Sequence, residues 1–425
     1  MRQVMVTGIG LLTAIGEGTH DSWNALLDGS SGVGPLRGYE AGSLRTQLGA
    51  ELVDFAPQRY APRRVLRMLT GDDELAMAGA VLALRDAGIE DGQRLGARAG
   101  LFLGGNKQMC RPEDVVSGAL VARTDDGTAD YQRLGERASS TLSPLFYVQG
   151  LQAAALFYIS AAYGILGANA YFAGTAESGA TAVGRAIRAV RRGESDLALA
   201  GGFDDAASWW SMSEMDGLGV LTSRNDWGRE AFRPYDRERS GSVLGSGAAF
   251  LVLEERTAAL ARGARCYAEA LGVGSGNDGG SVLTPDPKAR GLTRAIRAAL
   301  ADADRSATDV SYIATHGCGT VLGDKTETLG IRNALGPAAD RVLASTVKPQ
   351  TGHLVGAAGA LNVAVAALAL DSQVAPPTLH LDHPDPECDL DWVPNKPREA
   401  ELTTALALAR GIAGQQVAVA LGRVT

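Results

Sequence analysis

The sequence predicts an α/β protein with an internal duplication, arranged in five layers as α/β/α/β/α. Two segments support this prediction, because each contains a short apolar strand, a sharp turn with polar residues and a helix rich in small residues. They span residues 168–190 and 341–370. Since one such unit cannot bury its apolar face alone, two copies indicate stacked layers in one compact molecule.

The remaining elements follow from apolar periodicity along the chain. In the first half, strands are predicted at 4–7, 97–105, 197–203 and 249–253, and helices at 21–27 and 72–87. In the second half, strands are predicted at 266–273 and 312–315, and a helix at 291–301. The predicted division lies after the last strand of the first copy, giving halves of 1–255 and 256–425 within one folded unit.

The turn at residues 175–178 places Glu177 at the N-terminus of a helix. Backbone N–H groups point outward at such a position, and the helix dipole favours an anion. An acidic residue there can also be a plain helix-stabilising group with no function. A serine hydrolase elbow would read Gly-x-Ser-x-Gly, but Ala176 and Ala180 flank Ser178. Glu177 is therefore the candidate functional residue of this turn.

Composition excludes several classes of function. A formal net charge of −8 argues against general nucleic-acid binding, which rewards clustered Lys and Arg. The four cysteines are far apart and lack the spacing of zinc or redox motifs. The N-terminus lacks a signal-peptide pattern, and the longest apolar helix, 359–370, is too short to span a membrane. We therefore expect a cytoplasmic protein with reduced thiols, no nucleic-acid or membrane partner, no metal and no tightly bound cofactor.

Three motifs resemble those of the β-ketoacyl synthases of the thiolase superfamily. Residues 175–177 read Thr-Ala-Glu, where the family usually has Thr-Ala-Cys. Residues 316–320, His-Gly-Cys-Gly-Thr, resemble the first histidine motif, and 348–353 resemble the lysine and second histidine. The resemblance covers nearly the whole chain and implies a thiolase-like fold. It also implies that residues 106–110 lead towards a subunit interface and an acyl tunnel.

In that family a cysteine thiolate carries the growing acyl chain. Histidines stabilise the enolate oxygen that forms when a malonyl group loses carbon dioxide. The resemblance thus assigns four site residues: Glu177 at the nucleophile position, His316, His353 and Lys348. A phosphopantetheine arm on an acyl carrier protein is the implied carrier of the substrate.

Three departures from the family pattern indicate the function. A glutamate cannot form the thioester that a thiolate forms, so chain transfer onto Glu177 is not expected. The signature Gly-Phe-Gly-Gly-Thr-Asn appears as Gly-Ile-Ala-Gly-Gln-Gln at 411–416. Residues 407–411 resemble chain-length factors, the catalytically silent partners of type II polyketide ketosynthases. The resemblance therefore implies a subunit that pairs with a Cys-bearing ketosynthase and shapes a tunnel for a polyketide or polyene chain, with condensation only in that heterodimer.

Electrostatics also favours the partner role. If Glu177 is ionised, an internal ion pair with His316, His353 and Lys348 would neutralise the pocket that would otherwise attract a malonyl carboxylate.

Two other functions remain open. If Glu177 is protonated, it would mimic the glutamine of loading decarboxylases, and the histidines would serve a malonyl-carrier-protein decarboxylase. The third reading is a purely structural dimer with an inert pocket.

Three further segments are candidates for contacts with partners or substrate. Arginines at 185, 188, 191 and 192 form a basic helix edge, which suits either an acidic carrier protein or a solvated surface. Glu113 and Asp114 are expected either near the tunnel or in a solvated loop. The segment 209–215, with two tryptophans and two methionines, is expected to cover the active site.

Overall fold

A mixed sheet of eleven strands extends through the molecule. The computed structural model describes residues 2–107 and 111–424. Its strands are β1 (Val4–Thr13), β2 (Gly16–Glu17), β3 (Gly34–Pro35), β4 (Leu48–Gly49), β5 (Ala99–Gly105), β6 (Asn169–Ala173), β7 (Leu197–Asp205), β8 (Ser246–Glu255), β9 (Ala268–Asn277), β10 (Val310–Ala314), β11 (Leu343–Ser345), β12 (Val374–Ala375), β13 (Arg398–Glu399), β14 (Thr404–Arg410) and β15 (Gln415–Gly422).

Helices fill the connections between these strands. They are α1 (Thr19–Leu27), α2 (Arg63–Leu66), α3 (Gly71–Asp86), α4 (Pro112–Ala122), α5 (Tyr131–Thr141), α6 (Phe146–Gln149), α7 (Ala154–Tyr163), α8 (Ala176–Arg191), α9 (Trp209–Leu218), α10 (Arg256–Ala261), α11 (Arg290–Asp302), α12 (Val321–Leu335), α13 (Lys348–Thr351) and α14 (Ala358–Ser372). Short 3₁₀ turns lie between some of them, including Val355–Ala357 directly before α14.

Strand order demonstrates the duplication. The first half of the large sheet runs β6-β5-β7-β8-β1, and the second runs β11-β10-β14-β15-β9. In both halves the first three strands are parallel and the last two are antiparallel to their neighbours. The halves meet through two residue pairs, Met5 with Glu269 and Val6 with Ala268. The predicted duplicated fold is thereby confirmed.

The helices form three layers around the two half-sheets. Apolar residues of α8 and α14 pack with strands of both halves in one central core. Residues of α3 and α7 pack on the outer face of the first half-sheet, and those of α11 and α12 on the outer face of the second. This gives the five layers that the sequence predicts, because each helix buries its apolar face against a sheet.

Helix α14 is apolar on every side and lies at the centre of the molecule. The expectation that this helix is too short to span a membrane is wrong, because the window Val355–Ser372 has 18 residues and is long and apolar enough by composition; however, 89% of it is buried inside the fold. A helix that is apolar all round must be enclosed, and here the two half-sheets and α8 enclose it. It is therefore the core helix of this fold.

The two central helices approach each other closely near their N-termini. A Cβ on Gly359 would lie 2.4 Å from the carbonyl oxygen of Ala176, and one on Gly179 would lie 2.9 Å from that of Gly356. Only glycine allows this separation, since any side chain would separate the backbones. The close packing brings the two strand-to-helix turns of the duplicated halves to one place.

The predicted elements are present, with shifts at their ends. The strand predicted at 4–7 continues to Thr13, and the strand predicted at 266–273 occupies Ala268–Asn277. Helices α4 to α7, between Pro112 and Tyr163, were not predicted. The division of the chain after residue 255 stays a prediction, although β8 ends and α10 begins there.

Candidate active site

The predicted elbow lies between β6 and α8. Strand β6 ends at Ala173, and α8 begins at Ala176, so Glu177 lies in the first helical turn. The glutamate is only 7% exposed. A Cβ on Gly174 would lie 2.4 Å from Glu177 Oε1, so the glycine makes room for the carboxyl group. The strand, turn and helix predicted around Glu177 are confirmed.

The carboxyl group of Glu177 is held between this elbow and the connection from β14 to β15. The Thr175 hydroxyl donates a hydrogen bond to Glu177 Oε2 (3.0 Å) and accepts one from the backbone N–H of Ile412 (3.0 Å). A Cβ on Gly411 would lie 2.3 Å from Glu177 Oε2. The glutamate therefore packs against the segment that replaces the family's glycine-rich signature.

Burial raises the pKa of Glu177. Its own backbone N–H, the Thr175 hydroxyl and the charge of Arg410 act in the opposite direction. No ion pair among the described residues joins Glu177 to His316, His353 or Lys348. The predicted internal ion pair is therefore wrong, because the carboxyl group lies against Gly174 and Gly411.

His316 and His353 are brought together by the duplicated halves. His316 follows β10 and His353 follows α13, and their ring centroids are 5.4 Å apart with the rings nearly perpendicular. The backbone N–H of Val355 donates to His353 Nδ1 (3.0 Å), and that of Arg410 donates to His316 Nδ1 (3.4 Å). A neutral imidazole that accepts at Nδ1 carries its proton on Nε2. Both rings therefore have an Nε2–H to donate.

Both histidines are neutral at physiological pH. Burial lowers the pKa of each well below its ordinary value, and the nearby Lys348 ammonium lowers it further. Two neutral imidazoles side by side suit an enolate or another oxyanion. Each has an Nε2–H that can donate a hydrogen bond to the negative charge that develops on the oxygen.

Lys348 lies behind His316. Its ammonium group is buried, and Nζ donates to the backbone carbonyl oxygen of His316. Burial lowers the pKa of Lys348 to about 8. On the other side, the Glu327 carboxylate accepts the backbone N–H groups of His316 (2.6 Å) and Gly317 (2.8 Å). Lys348 and Glu327 thus fix the backbone that carries His316, and Lys348 acts through that backbone.

A cleft of about 670 Å³ opens over these residues. Its lining is largely apolar. The polar residues in it include Thr175, His316, Cys318, His353 and Arg410. Thr175 and Ala176 face the cleft from the elbow, while Glu177 is turned behind them. Glu177, at the expected nucleophile position, therefore differs from the family's cysteine in two ways: it is a carboxylic acid, and its side chain does not line the cleft.

Cys318 is a cleft residue that the sequence reasoning missed. Burial raises the pKa of its thiol to about 11, and the charge of Asp324 contributes to the increase. Its Sγ lies 3.1 Å from the Thr320 hydroxyl. The thiolate is the nucleophilic form of cysteine, so this thiol is a weak nucleophile at neutral pH. Its position within the histidine motif 316–320 could have indicated that it lies at the site.

Arg410 is the second residue that was missed. It is the last residue of β14, and its guanidinium group lies beside the cleft, with Nε 3.5 Å from Asp278 Oδ2. In the sequence it was only part of the run 407–411, and no local pattern marks an arginine there as a cleft residue.

Other predicted contacts have mixed outcomes. Glu113 lies on helix α4 rather than in a loop, accepts a hydrogen bond from Trp209 Nε1 (2.8 Å), and lines a second cavity with Trp209 and Trp210. From the segment 209–215, Met215 does line the cleft. Gln108 to Cys110, in the segment expected to lead towards the interface, lie outside the described residues.

Three of the four arginines on the basic edge of α8 are bound within the chain, and Arg192 is exposed. Arg185 pairs with Glu194 (2.5 Å), Arg191 pairs with Asp302 (3.0 Å), and Arg188 donates to the carbonyl oxygen of Val273 (3.2 Å). These arginines attach α8 to neighbouring elements, so they are less available to a carrier protein than the sequence suggested.

The described part of the chain contains three free thiols, Cys266, Cys318 and Cys388. Within residues 2–107 and 111–424, no group of three or more His, Cys, Asp or Glu side chains is arranged to hold a metal ion.

A duplicated five-layer fold with a helix-terminal elbow and two histidines over an apolar cleft defines a ketosynthase-type protein. The family model "Beta-ketoacyl synthase, N-terminal domain" matches residues 1–259, and "Beta-ketoacyl synthase, C-terminal domain" matches 267–382. The chain belongs to the β-ketoacyl synthase family.

Individual relatives are similar along their whole length. The 3-oxoacyl-[acyl-carrier-protein] synthase 2 of Coxiella burnetii is 33% identical over 427 residues, covering 100% of this chain and 99% of the relative. The ishigamide ketosynthase/chain length factor structure matches with a TM-score of 0.87 and 29% identity, covering 100% of both chains. A type II polyketide synthase acyl carrier protein in complex with its ketosynthase, AntDE:AntF, matches at 0.86 and 27%, also covering 100% of both chains.

Proposed function

We propose that this chain is a chain-length-factor-like subunit of a type II polyketide or polyene synthase. The observation that carries the proposal is Glu177, which occupies the nucleophile position with a carboxyl group turned away from the cleft. Cys318, the thiol that lines the cleft, does not replace the missing nucleophile, because its pKa is about 11. The chain then depends on a Cys-bearing ketosynthase for thioester chemistry.

An edge of the sheet suits that partner. Strand β6 is the last strand of the large sheet, and the described residues leave its outer side unpaired. Large apolar side chains surround it, including Phe157 (69% exposed) and Leu166 (67% exposed). An exposed edge strand with an apolar border is a favourable place for a second subunit, since pairing satisfies the backbone and buries the apolar surface. We assign the ketosynthase partner to this face.

Acyl carrier protein is the second partner in this proposal. One of the similar structures has a type II carrier protein in complex with its ketosynthase, and the phosphopantetheine arm would bring the acyl group in the same manner here. No tightly bound cofactor is needed for this role. The location of such a subunit would be the cytoplasm, where the carrier protein and its acyl substrates are made.

Reconstitution tests the partner role. The purified chain, a Cys-bearing ketosynthase and a malonyl-loaded carrier protein are assayed alone and together for chain elongation. We expect elongation only in the mixture, and we expect it to disappear when the partner's nucleophilic cysteine is replaced. Elongation by this chain alone would end the proposal. If substitutions along the cleft leave product length unchanged in the active mixture, the chain is only a structural partner.

The second candidate is a decarboxylase acting on malonyl carrier protein. It is favoured by the two neutral histidines, since both can donate from Nε2 to an enolate oxygen in the cleft. Release of carbon dioxide from malonyl carrier protein by the isolated chain, lost in His353→Ala, would support it. Absence of release would leave the partner role alone.

A further inference from the structure

Arg410 differs from every other described residue that lines the cleft, because it alone has a permanent charge. The other lining side chains are apolar, hydroxyl or thiol groups and the two neutral histidines. The buried Lys348 is held by the carbonyl oxygen of His316. A single cation in an apolar cleft attracts an anion, because the surroundings screen its charge less than water does.

The guanidinium group is only partly satisfied by the protein. Its side chain is 15% exposed, and its one described ion pair joins Nε to Asp278 Oδ2 at 3.5 Å. Nη2 is buried and has no hydrogen-bond partner among the described residues. Leaving a charged, buried N–H group without an acceptor costs free energy, so the protein leaves part of the hydrogen-bonding capacity of this cation unused.

Asp278 is a shared acceptor rather than a dedicated counter-ion. Its Oδ1 accepts from Gln416 Nε2 (3.1 Å), and its Oδ2 also accepts the backbone N–H of Asp286 (3.4 Å). Glu177 also contributes negative charge when it is ionised, since its pKa responds to the charge of Arg410. Asp286 is occupied by Arg290 at 2.8 Å. A ligand that enters the cleft can therefore contact the exposed 15% of the Arg410 side chain, and contact with the buried Nη2 requires the guanidinium group to turn.

We propose that Arg410 forms a carboxylate site in this cleft, which binds an acyl thioester with a free carboxyl group, such as a malonyl thioester. The carboxylate accepts hydrogen bonds from the guanidinium group of Arg410, and the thioester carbonyl oxygen faces the Nε2–H groups of His316 and His353. Arginine is well suited to this task, because its planar N–H groups match the geometry of a carboxylate.

The site favours retention of the carboxyacyl group over its decarboxylation. Loss of carbon dioxide moves negative charge from the carboxylate to the thioester oxygen. A fixed guanidinium group at the carboxylate stabilises the bound substrate more than that transition state. The proposal concerns the ligand bound by this chain alone, and it does not depend on the partner role.

Direct binding to the isolated chain tests the site. Isothermal titration calorimetry compares malonyl-pantetheine with acetyl-pantetheine, which differ by the carboxylate. We expect the malonyl compound to bind about 10- to 100-fold more tightly, the range for a hydrogen bond to a charged group. Arg410→Gln should remove that preference, and Arg410→Lys should restore part of it. Arg294→Gln, which removes an exposed arginine on α11, is the matched control and should keep it.

Several results would overturn the site. Equal binding of malonyl-pantetheine and acetyl-pantetheine to the unaltered chain would show that no carboxylate site exists. This result needs no variant, so the test remains decisive even if Arg410→Gln does not fold. A malonyl preference that survives in a folded Arg410→Gln chain would also overturn the site. Stronger competition by inorganic phosphate than by malonate would assign Arg410 to a phosphate group and reject the carboxylate. Rapid release of carbon dioxide from bound malonyl-pantetheine would reject retention.

Discussion

The carboxyl group of Glu177 packs directly against Gly411, where a Cβ would lie 2.3 Å from Glu177 Oε2. This contact connects the altered nucleophile position to the first glycine of the segment 411–416, which the family signature also has, 234 positions further along the chain. The glutamate is accommodated because the turn opposite it has no side chain at this point. The altered elbow thus packs against a glycine that the family signature keeps.

Gly411→Ala should destabilise the fold, because the added methyl group collides with the Glu177 carboxyl group and with Gln415 Oε1 (2.6 Å). Overpacking of this kind costs about 1–3 kcal/mol. Combined with Glu177→Ala, which removes the two closest colliding atoms, the same substitution should cost at least about 1 kcal/mol less. Denaturant unfolding of the four proteins measures this difference. Gly217→Ala in α9, where a Cβ would meet nothing within 4 Å, is the control, and additive effects at 177 and 411 would contradict the contact.

The protonation of Glu177 should appear in the pH dependence of stability. Burial raises its pKa, so the folded chain keeps a proton that the unfolded chain releases. The resulting stabilisation is complete below the unfolded pKa of about 4.3 and is lost as the pH rises through the folded pKa. Glu177→Gln has no such proton. As the pH rises, the free energy of unfolding of the unaltered chain should therefore fall relative to that of Glu177→Gln. Urea titrations from pH 4 to 8 measure this difference, and a difference that stays constant over this range would refute the prediction.

Cys318 should react slowly with alkylating reagents in the folded protein. With a pKa of about 11, its thiolate fraction at neutral pH is about two orders of magnitude below that of an ordinary thiol. Peptide mass spectrometry after timed treatment with iodoacetamide at pH 7.5 measures the rate, with the urea-unfolded chain as the reference. Alkylation at the rate of the unfolded chain would identify Cys318 as an accessible nucleophile and weaken the partner role.

Acidic substitutions beside β6 should weaken association with a second subunit. Phe157→Glu and Leu166→Glu each place a charge on the apolar surface next to the edge strand. Because the partner would have to remove water from this charge, each substitution should lower the affinity for the partner about tenfold or more. Light scattering and co-purification with the ketosynthase measure this. Leu260→Glu, an exposed leucine on α10, is the control (58% exposed). Unchanged association in both variants would place the interface elsewhere.

Much of the fold was predictable because its signals are local. The change from strand to helix around Glu177 and its repetition before α14 gave the duplication, and the motifs around His316 and His353 gave the two ends of the site. Helices α4 to α7 were missed. Few residues of α4 to α6 are buried, so these helices contribute little to the apolar pattern, and the short apolar run of α7 does not by itself distinguish a helix from a buried strand.

Side-chain direction at the site was not predictable. The sequence places Glu177 at a helix N-terminus, but its rotation towards Gly411 follows from packing between segments far apart in the chain. The low pKa values of the histidines arise from burial in the folded molecule, which no local sequence pattern shows. Arg410 and Cys318 face the cleft for the same reason, since β14 and the loop after β10 meet only in the folded molecule.

The acylation state of this chain, measured by intact-mass spectrometry, decides whether it carries the growing acyl group. The chain is incubated with acyl- and malonyl-loaded carrier protein, first alone and then with a Cys-bearing ketosynthase. We predict an acyl adduct on the ketosynthase and an unmodified mass for this chain in both mixtures. An acyl group attached covalently to this chain, at Glu177, Cys318 or any other residue, would contradict the proposed role.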